Sequence, residues 1–302
     1  MKRKIIKQAG QAYTLTLPID WIRNNKLDEK SEVDVAVSGK TLLVNTNNQT
    51  LGGKISMNVE EIDSNRTIYM ILNALYAKGV DEIELISSKE ITPLLTEAAN
   101  NLLGFALISR EKERYTIKDI SPSNYSNIDE IFKRVFQIVL LFYEDATGDI
   151  IEHKGQTLDG LQKRDLEVNK FCLLLQRAIN KKVHEDTIDG RVLFTYSFAL
   201  EEIGDEIMRL WRSCIKYKLK TNKDIVEMFD LCRKQLEESF DSYYLFNIKR
   251  MKQAYLIREK IREKILNQKI ASGKEAMLLK HVLRISEGLV DLTHLNIMMK
   301  LK

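Results

Sequence analysis

The stretch Gln11–Asn25, QAYTLTLPIDWIRNN, changes character half-way along and sets the reading of everything around it. Tyr13, Leu15 and Leu17 alternate with Thr14 and Thr16, a period of two that predicts a half-buried strand. Pro18 ends that strand and suits a first helical turn, where its missing N–H would have had no partner in any case. Ile19, Trp21 and Ile22 give the short helix an apolar side, and Asn24 and Asn25 can terminate it. Beyond it Val33, Val35 and Val37 alternate with Glu32 and Asp34, and the turn Ser38-Gly39-Lys40 leads into the run Thr41 to Val44, which reads as a hairpin. The order is strand, short helix, strand, strand. A segment of under about fifty residues buries too little surface to stand alone without a disulfide, a metal or a partner, so this unit is expected to fold as a dimer.

Residues 48–53, with a Gly-Gly pair, read as a linker. After it the pattern predicts helix over 66–77, strand over 82–86, helix over 93–103, and strands over 105–108 and 115–120, an order that makes a small α/β layer. No glycine-rich phosphate loop interrupts it; Gly79 and Gly104 stand where a helix must stop before a strand. Pro122 is the last proline, which permits long helices through the remaining 180 residues. Apolar residues at three- and four-residue intervals place six of them near 126–154, 160–182, 188–219, 222–247, 249–270 and 274–300. Two three-helix bundles in tandem are the economical packing. The expected class is a multidomain α+β protein: a β domain over 1–48, a small α/β domain over 54–121 and an all-α domain over 122–302.

A hydrophobic fraction of 44% and a charged fraction of 30% fit an ordinary globular chain. The net charge of +4 is too weak to name a partner, but its distribution is uneven. Residues 1–26 hold six basic side chains, Lys2, Arg3, Lys4, Lys7, Arg23 and Lys26, against the single acid Asp20, a local +5 that exceeds the total. Cys172, Cys214 and Cys232 lie far apart within helical patterns and are read as core residues in a reducing compartment. Apolar runs such as 138–142 fall far short of the ~20 residues of a membrane span, and no h-region follows the basic start, so the chain is expected to be cytoplasmic and not an integral membrane protein.

One motif recurs: Glu201 and Asp205 in ALEEIGDEIMRL, and Glu287 and Asp291 in RISEGLVDLTHL, four apart in each copy and 86 residues between copies. A two-fold duplication explains the spacing. Acids four apart share a helical face, so each pair could aim two carboxylates at one hard or borderline cation, or could simply form a solvated face. Asp291 and His294 make only half of one di-iron motif, which disfavours an oxidase. His153, His184 and His281 sit among charges and are read as surface residues, and no serine–histidine or cysteine–histidine constellation is assignable. The chain is not read as an enzyme.

The opening RKIIKQAGQAYTLTLPIDWIRNNKLDEKSEVDVAV with GKTLLV resembles the swapped-hairpin DNA-binding domain of the AbrB/SpoVT/MazE-antitoxin type. The remainder, through RTIYMILNALYAKGVDEIEL and the duplicated helices, is similar to archaeal-type PhoU-related phosphate uptake regulators. The resemblance implies a homodimeric or higher homo-oligomeric transcriptional regulator of phosphate uptake on double-stranded DNA, with Lys2, Arg3, Lys4, Lys7 and Arg23 as contacts and a PhoU-like helical sensor. It also implies divalent or iron/zinc-type metal ions on Glu201, Asp205, Glu287 and Asp291, with Asp165 from the companion motif RDLEVNKFCLLL. That motif has Asn169 where an aspartate is usual, and the second copy, QAYLIREKIREKI, is basic where the family has acids. The alternative is a non-DNA-binding adaptor whose bundles dock on a phosphate-transport component or a signalling partner.

Overall fold

The computed structural model describes residues 2–8, 10, 12–38, 41–46, 53–121, 127–152, 158–181, 188–270 and 272–301. The chain is a mixed α+β protein with small sheets and a helical C-terminal region, dividing into two units, Met1–Thr50 and Leu51–Lys302. The Gly39-Lys40 turn, most of the expected linker, His153 and His184 lie outside the described residues.

In the first unit β1 (Ile6–Lys7) pairs antiparallel with β2 (Tyr13–Thr14), α1 (Ile19–Asn24) follows, and β3 (Val33–Ser38) pairs antiparallel with β4 (Thr41–Thr46). β2 ends at Thr14, short of the expected Leu17, and Pro18 stands just ahead of α1 with an extended backbone, where it opens the helix. Asn25 closes the other end: its backbone N–H and its side-chain amide both donate to the Trp21 carbonyl, the latter at 2.8 Å. The expected half-burial of Tyr13 and Leu15 is not reached. Tyr13 is 64% exposed, Val37 77% and Ile5 70%, α1 contributes no buried residue, and only Thr46 is buried among the unit's described residues.

The second unit opens with a four-stranded sheet in the order β5-β6-β8-β7, formed by β5 (Lys54–Asn58), β6 (Glu82–Ile86), β7 (Phe105–Glu111) and β8 (Arg114–Asp119). β5 and β6 run parallel, joined through α2 (Asn65–Lys78); the other pairings are antiparallel, with α3 (Thr92–Asn100) between β6 and β7. Gly79 caps α2 at φ +97, a left-handed turn that glycine adopts without a Cβ penalty, and Gly104 turns at φ +87 into β7. Leu72 and Tyr76 of α2 and Leu95 of α3 bury against Ile83, Leu85, Tyr115 and Ile117 of the sheet.

Six long helices complete this unit: α4 (Ile128–Glu152), α5 (Leu158–Lys181), α6 (Ile188–Tyr217), α7 (Lys223–Tyr244), α8 (Ile248–Leu266) and α9 (Gly273–Lys300). α4, α5 and α6 pack on one another, as do α7, α8 and α9, and α6 lies against α9. Asn222, Asn247 and Ser272 cap α7, α8 and α9 through their side-chain oxygens, each satisfying a backbone N–H of the first turn. One core runs through both groups, with Phe132, Phe136, Phe142, Tyr196 and Tyr243 at its centre and the three free cysteines buried in it. Among the described residues no helix is long and apolar enough to cross a membrane.

Arg177 of α5 ties the sheet layer to the helices. Its side chain has no exposed surface, donates to the carbonyls of Tyr76 and Val80 at 3.1 and 2.8 Å, and reaches Asp81 and Asp119 at 2.7 and 2.8 Å. The guanidinium also stacks over Tyr76 and Phe105, 4.9 Å from each ring centroid. Asn180, three residues on, donates to the Ala77 carbonyl at 2.7 Å.

Candidate functional site

The acids singled out in the sequence occupy two different helical seams. Glu201 and Asp205 on α6 look towards Asp165 on α5, across a crossing so close that a Cβ on Gly204 would stand 3.0 Å from Val168. Burial, and then the negative charge of Asp205, push the Asp165 carboxyl up to about 6 against the pull of Arg212 and Arg209. Burial raises Glu201 too, with Asp205, Asp165 and Glu202 adding to it. The Asp165 Oδ1 atom is sealed from solvent and has no hydrogen-bond partner. Asp205 already pairs with Arg209 at 2.5 Å, so the unanswered Asp165 oxygen, beside Glu201, is what a cation would relieve.

Glu287 and Asp291 are differently placed. Glu287 faces α8, where Arg262 pairs with it at 2.8 Å and Arg258 at 3.5 Å, while Asp291 is exposed beside His294. The charge of Glu287 is therefore answered by two guanidinium groups without a metal. The 86-residue echo survives in space: Glu201 neighbours Cys172, and the corresponding Glu287 pairs with Arg258, which lies 86 residues after Cys172. Among the described residues no three carboxylate, imidazole or thiol groups stand together as a ready-made metal site.

On its opposite face α6 meets α9 around a cleft of about 330 Å³, lined by Glu202, Glu206, Arg284, Glu287, Gly288 and Asp291 among others. Behind it Glu206 Oε1 lies 2.6 Å from His281 Nδ1, and His281 Nε2 lies 3.3 Å from the Ser213 hydroxyl, all three residues buried. Burial would raise the Glu206 carboxyl, but hydrogen bonds from His281 and Arg209 and the charge of Arg284 outweigh it and hold it below the usual glutamate range. His281 is thus not the surface residue its charged neighbours suggest. It sits three residues after Leu278 and four before Ile285, both buried, so the helical period carries it inward with them. The arrangement has the order of a serine–histidine–acid relay, which sequence spacing did not reveal. Ser213 lies within α6, however, where helical backbone N–H groups are already bonded and offer no oxyanion pair, so the contact serves as a polar tie between α6 and α9.

The basic residues of the first unit form the third feature. Lys2, Arg3, Lys4, Lys7 and Arg23 are all exposed, and among the described residues none has an acidic partner. Comparison with protein-family models, curated proteins and solved structures finds no match to the chain.

Proposed function

We propose that the chain is a DNA-binding transcriptional regulator acting as a homodimer or higher homo-oligomer, with a helical region that senses a cation or a partner. One observation carries this reading: the first unit leaves both its apolar side chains and its cations uncovered. Tyr13, Leu15, Ile19, Val35, Val37 and Leu42 are exposed, and so short a segment, with only Thr46 buried among its described side chains, is too small to stand alone without a partner. At roughly 25 cal/mol per Å² of apolar surface removed from water, pairing two such units supplies the missing stabilisation. A symmetric pair presents Lys2, Arg3, Lys4, Lys7 and Arg23 twice, as contacts for the phosphates of a duplex. Interleaving of the hairpins and phosphate uptake as the regulated process are carried over from the resemblance.

Asp165, Glu201 and Asp205 are the residues to which the metal reading attaches. A bound divalent cation would neutralise the facing carboxylates and hold α5 and α6 at one separation. Glu287 and Asp291 are left to their arginine and solvent neighbours. The test joins two measurements on the full chain. Sedimentation equilibrium should return a dimer or larger species at micromolar concentration. Fluorescence anisotropy with a mixed-sequence duplex at low salt should show binding that is lost when the five cations are replaced by glutamine. A monomer, or a variant that binds as well as the parent, overturns the reading.

A further inference from the structure

A second cleft, of about 400 Å³, opens where α2 and α3 of the sheet layer meet α5, and none of the expected site residues lines it. Arg66, Tyr69 and Asn73 come from one face of α2 at spacings of three and four, and Asn169 and Lys170 from the facing side of α5. Packed helices ordinarily close on apolar side chains and leave few voids. Here the seam is pinned by Arg177, two helical turns beyond Lys170, while the end next to Lys170 stays open and polar.

The lining is rich in donors without a protein partner. Among the described residues Arg66 and Lys170 have no acidic partner, and the side-chain amides of Asn73, Asn101 and Asn169 have no hydrogen bond. The Tyr69 hydroxyl is sealed from solvent and makes no hydrogen bond of full geometry, with the Glu97 carboxylate as its neighbouring acceptor. Burial, with Glu97 adding to it, pushes that phenol up to about 12, so it is a donor at any physiological pH. Of these groups the Tyr69 hydroxyl alone is sealed from solvent, while the others face the cleft, where a ligand can take the place of water. Two cations against the single carboxylate Glu97 make the cleft positive overall.

We infer that this cleft binds a small hydroxylated organic anion. Its phosphate or carboxylate oxygens would accept from Arg66 and Lys170, its remaining oxygens would accept from the asparagine amides, and a hydroxyl of the same molecule would donate to Glu97. The cleft shares no residue with the basic first unit, so either reading can fail without the other.

Isothermal titration of the full chain with glycerol 3-phosphate, citrate, inorganic phosphate and glycerol tests it. Saturable binding of glycerol 3-phosphate or citrate at submillimolar concentration is expected, with none by glycerol; which of the two binds names the anion as an organic phosphate or a hydroxycarboxylate. Arg66→Gln and Lys170→Gln, both at the cleft surface, should each weaken that binding tenfold or more while leaving the thermal midpoint of the free protein unchanged. Tyr69→Phe keeps the ring and removes only the unanswered hydroxyl, so the free protein should be no less stable. Absence of saturable binding by both organic anions, affinity within twofold of the parent in both cation variants, or equal binding by glycerol overturns the inference.

Discussion

Replacing Arg177 by methionine should remove about 3–5 kcal/mol of unfolding free energy, the range for breaking one side of a buried ion pair. Methionine occupies a similar volume and adapts to irregular gaps, so lost packing contributes little. The cost comes from the groups the guanidinium leaves behind. The Tyr76 carbonyl still accepts from the Gly79 N–H at 2.9 Å, and Asp81 keeps Lys181, so these two are partly covered. The Val80 carbonyl and Asp119, whose side chain is only 7% exposed, lose their guanidinium donor. Asp81→Asn should therefore cost no more than about 1 kcal/mol, the scale of a partly exposed pair. Asp119→Asn in the Arg177→Met background should restore part of the loss, because it removes a buried carboxylate that has lost its guanidinium partner. Because Arg177 joins the sheet layer to α5, its loss should also split one cooperative transition into two. Urea unfolding followed in parallel by far-UV circular dichroism and tyrosine fluorescence reads both effects. A loss below about 1 kcal/mol, with the two probes still coincident, would refute the assignment of Arg177 as the tie.

Other outcomes follow from the helical seams. A carboxyl raised to about 6 in the folded state is protonated there while its unfolded counterpart is already ionised, so the folded state holds the extra proton and stability falls as pH rises from about 4 to about 6. Asp165→Asn should thus stabilise the metal-free protein by about 1–2 kcal/mol near neutral pH, after allowance for solvent screening, and by much less near pH 4. Added manganese or zinc should raise the thermal midpoint of the parent and not of Asp165→Asn, as differential scanning fluorimetry would report. Gly204→Ala gains about 1 kcal/mol of helix propensity but presses a methyl against the buried Val168 at 3.0 Å, and overpacking of about 1–3 kcal/mol makes the net change a loss in a denaturant melt.

The six long helices were legible because nothing breaks them: without proline, and with apolar residues at three- and four-residue intervals, each expected span differs from the observed one by a few residues. β6 was legible for another reason, since in Glu82–Ile86 the apolar Ile83 and Leu85 alternate with Glu82 and Glu84 ahead of the Ser87-Ser88 pair. β5 was not. Ile55 and Met57 do alternate with Lys54, Ser56 and Asn58, but five residues on an exposed edge strand directly after a Gly-Gly pair make too short a pattern to stand apart from the linker. Arg177 carries no signal in the sequence, because its partners lie 58 to 101 residues away and no local pattern foretells a guanidinium closing a seam. The acids were found by their spacing, but spacing cannot say what faces them. The same i, i+4 signature meets Asp165 at Glu201 and Asp205, and two arginines at Glu287. His281 was hidden by its charged neighbours Lys280 and Arg284, although its helical phase with Leu278 and Ile285 already held the answer.

Duplex binding by the paired first units should weaken steeply as salt rises. If two copies of the first unit set Lys2, Arg3, Lys4, Lys7 and Arg23 against phosphates, neutralising about six to ten of them, log Kd against log salt should have a slope of roughly 5 to 9. Glutamine in place of the five cations should flatten that line. Binding whose slope stays below about 2, or no binding at about 50 mM salt, would contradict the account.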